Sequence, residues 1–212
     1  MTQVRADYLA VAESVAALVN DPVVAGAWDE PSALPRLTVG ALANHLAGQI
    51  SFVALVLPEP PAEQPVIEIL DYYARVGWIG TGLDEPFNLR IQRGEAKAAA
   101  DGPQALISRT AKDLGELRDR LPAEPPRAVH LPVWGDWSLS LDDFVTSRLM
   151  ELVVHTDDLA VSVGLPTPPL PSGAVDTVVV LLARLAVQRH GPVDVVRALS
   201  RAERAPTTIA AI

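Results

Sequence analysis

The 212-residue sequence contains no cysteine. This absence excludes disulfide bonds, thiolate ligands to a metal ion and a sulfur nucleophile supplied by the protein itself. If thiol chemistry takes place on this protein, a small-molecule cofactor must therefore bring the sulfur.

Positive charge is also scarce. Lysine and arginine total 17 residues against 26 aspartates and glutamates, the formal net charge is −9, and no Lys/Arg-rich block is present. Nucleic-acid binding relies on many phosphate contacts from cationic side chains, and an acidic surface repels anionic lipid headgroups. We therefore expect neither nucleic acid nor a membrane as a partner.

Long uninterrupted hydrophobic runs are missing. The first twenty residues include Arg5, Asp7 and Glu13, where a signal peptide needs an apolar stretch. The most apolar run, residues 178–187, is too short for a membrane span and contains Arg184. We therefore expect a soluble, cytoplasmic protein. Hydrophobic residues still make up 49% of the chain, which is ample material for a core.

Helical periodicity dominates the chain between its proline clusters. It predicts four long helices, at residues 3–19, 38–56, 103–121 and 141–163. Weaker patterns predict one or two helical turns at 72–78, a short hairpin or extended loop at 128–141, and two helices at 173–190 and 193–202. Thr38 and Ser140 are the expected N-caps of two long helices, and Gly164 is expected to close the last of them.

This element order predicts a mainly α protein with a single domain. We expect a four-helix bundle in residues 1–164 and a C-terminal helical extension in residues 165–212 that packs on it. Bundles of this kind place ligand and metal sites between facing helices, from side chains that point inward.

The helix predicted at 141–163 carries a line of polar residues beside its apolar side. Arg148, Glu151, His155 and Asp158 recur at steps of three or four residues. One interpretation is a solvated margin, where such pairs contribute a few tenths of a kcal/mol. The other is a metal site, because Glu151 and His155 lie one helical turn apart. This helix alone leaves both interpretations open.

A second fragment, "LTVGALANHLAGQISFV" at residues 37–53, places His45 on an apolar stripe with Leu42 and Leu46. A lone histidine in such a position is typical of a hydrogen-bonded core residue. Combined with Glu151 and His155, however, it gives two imidazoles and a carboxylate, which suit zinc or a similar divalent ion and leave coordination positions open. His130 is a candidate fourth ligand, and His190 is expected to cap a helix end.

Two motifs of the chain resemble those of one family. "LTVGALANHLAG" is similar to the pattern W-T-V-x-x-L-x-x-H-L, with Leu37 in place of the aromatic residue, and "RLMELVVHTDDLA" matches R-x-x-E-x-x-x-H-x-x-D-L-A without gaps. Their order and separation resemble the mycothiol-dependent maleylpyruvate isomerases, specifically the metal-binding, DinB-like N-terminal domain. The resemblance runs from Trp28 to about Ala202.

The resemblance implies an up-down-down-up four-helix bundle in which His45, Glu151 and His155 bind a divalent metal, typically zinc. It also implies a low-molecular-weight, mycothiol-like thiol that attacks a small electrophile, in a transferase or isomerase reaction. The missing cysteines agree with this, because a metal-bound thiol is deprotonated without any protein sulfur. About forty residues follow Gly173, too few for the second domain of the isomerases, so isomerisation of maleylpyruvate itself is not expected.

Two further residues are expected to act in the site. Asp158 is expected to accept the second ring proton of His155 and fix its tautomer. Arg148 is expected to hold Glu151 or to bind an anionic group of the substrate. Trp28, Trp134 and Trp137 are expected to be packing residues.

Two other functions stay open at this point. A zinc hydrolase would use the same ligands with a metal-bound water, and a non-catalytic bundle would bind a metal or ligand without turnover. The expected partner is a small-molecule substrate, and a homodimer also stays open.

Overall fold

The computed structural model describes all residues, 1–212, and is mainly helical. Its helices are α1 (Gln3–Val19), α2 (Pro22–Gly26), α3 (Val39–Val56), α4 (Ile69–Tyr73), α5 (Pro86–Ala99), α6 (Pro103–Arg120), α7 (Leu141–Ser162), α8 (Ser172–His190) and α9 (Pro192–Ser200). Two short strands, β1 (Ala128–Val129) and β2 (Leu139–Ser140), form an antiparallel hairpin that pairs Ala128 with Ser140. The hairpin predicted at 128–141 is confirmed.

The four long helices α1, α3, α6 and α7 form the bundle. α1 and α3 each pack against both α6 and α7. Their apolar faces meet in one core, in which Tyr8, Leu46, Ile50, Leu117 and Phe144 are completely buried. The predicted fold class, a helical bundle with C-terminal helices and a short hairpin, is confirmed.

Local sequence signals explain where these helices begin and end. The Thr38 hydroxyl accepts a hydrogen bond from the Ala41 amide at 3.2 Å, and the Ser140 hydroxyl accepts one from the Asp143 amide at 3.0 Å. Pro103 occupies the first position of α6, where its missing N–H costs nothing. Gly164 follows α7 with φ +69°, a conformation that favours glycine.

The most apolar helix is the central helix of the bundle. By length and composition α3 is apolar enough to cross a membrane, but 67% of it is buried inside the protein. It contacts α5, α6 and α7 along its length. Its apolar character is therefore that of a core helix.

The C-terminal helices cover one side of the bundle. α8 packs on α7 and α1, and α9 packs on α8. Met150, on the side of α7 that faces away from its main apolar stripe, is also completely buried. Both helices lie within two residues of their predicted bounds. The predicted division of the chain into a bundle and an extension at residue 164 stays a prediction.

Two helices have no counterpart in the sequence-based expectation, and a third lies elsewhere. The unpredicted helices are α2 and α5, and the turns predicted at 72–78 are instead α4, which ends at Tyr73. The sequence of α5 is more polar than those of α1, α3 and α7 and contains Gly94, which disfavours a helix interior, so a core-facing helix was not expected there. Its position is set by packing on α3.

Candidate metal centre

Three predicted ligands from two packed helices converge in the structure. His45 lies on α3, and Glu151 and His155 lie one turn apart on α7. Glu151 Oε2 is 3.6 Å from His45 Nε2 and 3.2 Å from His155 Nε2, and the three donor atoms all lie within 4.8 Å of one another. Bonds of about 2.0–2.1 Å to a tetrahedral zinc ion place neighbouring donors roughly 3.4 Å apart. The two distances to Glu151 match this spacing, so the group, called the triad below, is a candidate site for such an ion.

The outer nitrogen of each imidazole faces a carboxylate. His155 Nδ1 lies 2.8 Å from Asp158 Oδ2, the contact expected from the sequence spacing, and His45 Nδ1 lies 3.1 Å from Glu95 Oε1. Each ring therefore uses Nδ1 for a carboxylate and turns Nε2 toward Glu151. Metal-binding histidines show the same arrangement, because the second hydrogen bond fixes the tautomer and the ring orientation.

The triad lies at the edge of the core. Glu151 is 8% exposed, while the side chains of His45 and His155 are 19% and 15% exposed. The two imidazole rings lie edge to face with centroids 4.9 Å apart. The carboxylate is thus shielded, and the imidazoles keep limited access to solvent.

Burial and charge act in opposite directions on the triad. Burial disfavours the charged form of His45, but the carboxylates of Glu151 and Glu95 outweigh it and raise the pKa of His45 to about 9. Against the same effect of burial, Asp158 and Glu151 raise the pKa of His155. Burial alone would raise the pKa of Glu151, but the two imidazoles hold it well below its usual range. Without a metal ion, protons bound to the imidazoles therefore balance the negative charge of the buried Glu151 carboxylate.

This electrostatic balance predicts how the stability of the metal-free protein depends on pH. His45 has a folded-state pKa of about 9 against an ordinary value of 6.5, so its contribution is complete below pH 6.5 and is lost as the pH rises through 9. In the presence of a chelator we expect the free energy of unfolding to fall between these pH values, by about 1–3 kcal/mol. Urea unfolding measured across this range checks the prediction.

The matched variant for this experiment is His45→Gln, which keeps a polar side chain but cannot titrate. Its unfolding free energy should fall less over the same range, because only His155 then contributes. A wild-type protein whose stability is constant from pH 6.5 to 9 would contradict the prediction.

Arg148 is buried beside the triad but makes different contacts from those expected. Its guanidinium donates to Gln49 Oε1 at 2.7 Å, to the Tyr72 hydroxyl at 3.1 Å and to Ser147 Oγ at 3.2 Å. It makes no hydrogen bond to Glu151, so the expected direct support of that carboxylate is absent. Its positive charge is instead held by neutral partners.

Aromatic side chains surround this guanidinium. It lies 5.6 Å from the Phe144 ring centroid, and Tyr72 contacts both Trp134 and Trp137, whose rings are stacked at 4.5 Å. These two tryptophans therefore pack on the core, as expected, and lie against Tyr72, a hydrogen-bond partner of Arg148. Next to Tyr72, the Tyr73 hydroxyl is buried without a hydrogen-bond partner.

The remaining histidines and tryptophan lie outside the triad. His130 Nδ1 lies 2.8 Å from the Trp137 carbonyl oxygen, and His130 is not among the ligand group, so it does not supply a fourth ligand. His190, at the end of α8, contacts the Ala210 carbonyl at 2.8 Å through Nε2. Trp28 packs on Gly40 and donates to the Ala99 carbonyl, as expected for a packing residue.

Sequence reasoning missed three residues that contact the site. Glu95 lies on the unpredicted helix α5, Tyr72 lies on the shifted helix α4, and Gln49 is recognisable in the sequence only as a member of the apolar stripe of α3. The available signal for α5 is Pro86 at its first position together with Lys97 in its last turn. These marks identify a helix, but they do not show that its single carboxylate, Glu95, reaches an imidazole.

The family model of the mycothiol maleylpyruvate isomerase N-terminal domain matches residues 8–160. The chain belongs to this family. The match includes all three residues of the triad and nearly all of the four-helix bundle. No curated protein and no solved structure matches the chain. Membership in the mycothiol maleylpyruvate isomerase N-terminal domain family makes this a mycothiol-related, DinB-like metal-binding domain.

Proposed function

We propose that this protein binds one zinc ion through His45, Glu151 and His155. It uses the ion with a low-molecular-weight, mycothiol-like thiol to attack a small electrophile, in a thiol S-transferase or isomerase type of reaction. The observation that carries the proposal is the convergence of two Nε2 atoms and one carboxylate oxygen, within 4.8 Å, in a chain of a mycothiol-related family. Three protein ligands leave room for a further ligand, as in catalytic zinc sites.

The bound ion supplies Lewis acidity, which lowers the pKa of a thiol so that its thiolate exists at neutral pH. The chain's own residues hold the site ready for that chemistry. With an ion in place of the second ring proton, Asp158 would accept the Nδ1 proton of His155 and Nε2 would turn its lone pair toward the centre of the triad. Because the chain has no cysteine, no protein thiolate competes for this position.

Arg148 and Tyr73 are the groups proposed to orient the electrophile. Arg148 has five N–H donors and uses three of them on protein atoms, which leaves donors for an anionic group of the substrate. Burial raises the pKa of Tyr73 well above its usual range, so its unpartnered hydroxyl stays a donor. The stacked Trp134 and Trp137 limit the access of water to this region.

The proposed thiol chemistry and the net charge also indicate where the protein acts and which partner it has. A reactive thiol persists in the reducing cytoplasm, and we place the protein there. The net charge of −9 favours a small molecule over nucleic acid or an anionic membrane as partner. A homodimer is the proposed oligomer.

The proposal is tested on protein purified without chelators. We expect elemental analysis to find about one zinc ion per chain, and reduced mycothiol to raise the melting temperature with increasing dose. At a hundred times Kd the ligand adds about 2.7 kcal/mol of stability, which corresponds to roughly 5–10 °C for a domain of this size. Turnover of small electrophiles should require the thiol, and S-methyl mycothiol, which cannot form a thiolate, should support none.

Other outcomes would reject the proposal and identify an alternative. Protein without a bound ion would exclude a metal-dependent reaction. Ester or amide hydrolysis in the absence of any thiol would identify a zinc hydrolase instead. Bound zinc with no thiol-dependent shift and no turnover would identify a non-catalytic metal-binding bundle.

A further inference from the structure

The two imidazoles of the triad receive their outer carboxylates from different places. Asp158 belongs to the same helix as His155 and lies three residues beyond it, so the helical repeat alone places it. Glu95 belongs to α5, fifty residues after His45 in the chain, yet its Oε1 lies 3.1 Å from His45 Nδ1. The support of His45 thus depends on how α5 sits against α3.

α5 lies on the surface of the bundle and packs mainly on one other helix. None of its residues is buried, and its main packing partner is α3. At its C-terminal end the Trp28 indole Nε1 donates to the Ala99 carbonyl at 2.9 Å. Trp28 in turn fills the space over Gly40 of α3, where a Cβ atom would come within 2.5 Å of the ring. Trp28 therefore ties the end of α5 to the start of α3.

Glu95 has no cationic partner other than His45. The nearby guanidinium of Arg109 donates to Asn44 Oδ1 at 2.8 Å, and no ion pair joins it to Glu95. Arg109, Asn44 and Glu95 all line an open groove of about 310 Å³ between α3, α5 and α6. The charge of Glu95 is therefore directed to the imidazole rather than neutralised by a neighbouring arginine.

We propose that Glu95 is a positioning residue for the metal centre, and that it acts only while α5 is docked on α3. Its carboxylate fixes the rotation and the tautomer of His45, so that Nε2 faces Glu151 and His155. This inference rests on the proposed metal centre. The inference adds Glu95 to the residues that shape the metal centre. Glu95 lies on the surface helix α5, which supplies none of the three ligands.

The first test measures metal binding rather than activity. Zinc affinity is determined by competition with a chromophoric chelator for the wild type, Glu95→Ala and Glu95→Gln, and the visible spectrum of the Co²⁺-loaded proteins reports ligand geometry. We expect Glu95→Ala to raise the zinc Kd by about 10–100-fold, the usual effect of losing such a partner, and to change the Co²⁺ spectrum. Glu95→Gln should lie between the two, because its carbonyl still accepts the Nδ1 proton without a negative charge.

Glu85→Ala provides the matched control. Glu85 precedes α5, is exposed and makes no capping hydrogen bond, so this change removes the same charge next to the same helix without touching His45. The zinc affinity of the variant should equal that of the wild type. An equal loss of affinity in Glu85→Ala and Glu95→Ala would show a general charge effect and would overturn the proposal.

The second test concerns the docking of α5. Trp28→Phe removes the indole donor to Ala99 but keeps an aromatic ring over Gly40. We expect a several-fold weaker zinc affinity, and no further loss when Trp28→Phe is combined with Glu95→Ala, because both changes act through the same contact. If the losses of zinc affinity in the two single variants add up in the double variant, Glu95 does not depend on the docking of α5 and this part of the proposal is overturned.

Failure of this inference is distinguishable from failure of the proposed function. A wild-type protein that binds no zinc would reject the metal centre itself. A wild-type protein that binds zinc tightly, with unchanged affinity and Co²⁺ spectrum in Glu95→Ala, would retain the metal centre and reject the role of Glu95.

Discussion

His45→Ala is expected to abolish stoichiometric metal binding while leaving the bundle folded. Zinc-binding free energies of about 10–16 kcal/mol in four-ligand sites correspond to roughly 2.5–4 kcal/mol per ligand. That loss is a factor of about 70 to 900 in Kd. The side chain is 19% exposed, so its removal leaves only part of a cavity in the core. Elemental analysis after dialysis and competition with a chelator measure the effect.

His130→Ala is the control for this experiment. It also removes an imidazole, but one that contacts the Trp137 carbonyl rather than the triad. It should retain about one zinc ion per chain. If His45→Ala holds as much zinc as the wild type, the metal centre lies elsewhere and the proposed function loses its basis.

Arg148→Met is expected to lower the free energy of unfolding by about 2–4 kcal/mol. Hydrogen bonds to charged groups contribute about 1.5–3 kcal/mol each, and this change leaves Gln49 and Tyr72 without their buried donor. Relief from burying a charge offsets part of that loss. The change also removes the proposed anion-binding group, so thiol-dependent turnover should be lost. Urea unfolding and steady-state kinetics measure the two effects separately.

Two comparison variants show what the guanidinium contributes. Arg148→Lys keeps the charge but cannot bridge Gln49 and Tyr72 with a planar fork, so we expect an intermediate loss of stability and weak activity. Arg118→Met removes an exposed arginine paired with Glu13 and should change stability by less than about 0.5 kcal/mol. An Arg148→Met protein that is both stable and active would contradict the proposed role of this residue.

The position of Arg148 also explains why a buried charge is kept at this point of the bundle. The guanidinium lies near the rings of Phe52 and Phe144, at 5.9 Å and 5.6 Å from their centroids, and is held by neutral hydrogen-bond partners. Such a group is rigid before any ligand arrives. A preorganised cation next to the proposed metal centre suits the binding of an electrophile that carries a negative charge.

The sequence by itself determined the features that depend on neighbouring residues. Thr38, Pro103, Ser140 and Gly164 mark helix ends because caps and proline act within one turn of their own position. The contacts of His155 with Glu151 and Asp158 follow from the helical repeat in the same way, because this repeat brings residues three and four apart onto one face. The absence of cysteine likewise determined that the protein itself supplies no thiol, so that any thiol chemistry needs a small-molecule thiol.

Only the tertiary structure decided which residues from other helices contact the polar side chains of α7. The rotation of α3 against α7 brings His45 Nε2 to 3.6 Å from Glu151, and the docking of α5 brings Glu95 to the other nitrogen of the same ring. Packing likewise gave Arg148 the partners Gln49 and Tyr72 in place of Glu151. The physical reason is that the helical repeat fixes spacing within one helix, whereas the rotation and depth of one helix against another depend on all the side chains between them.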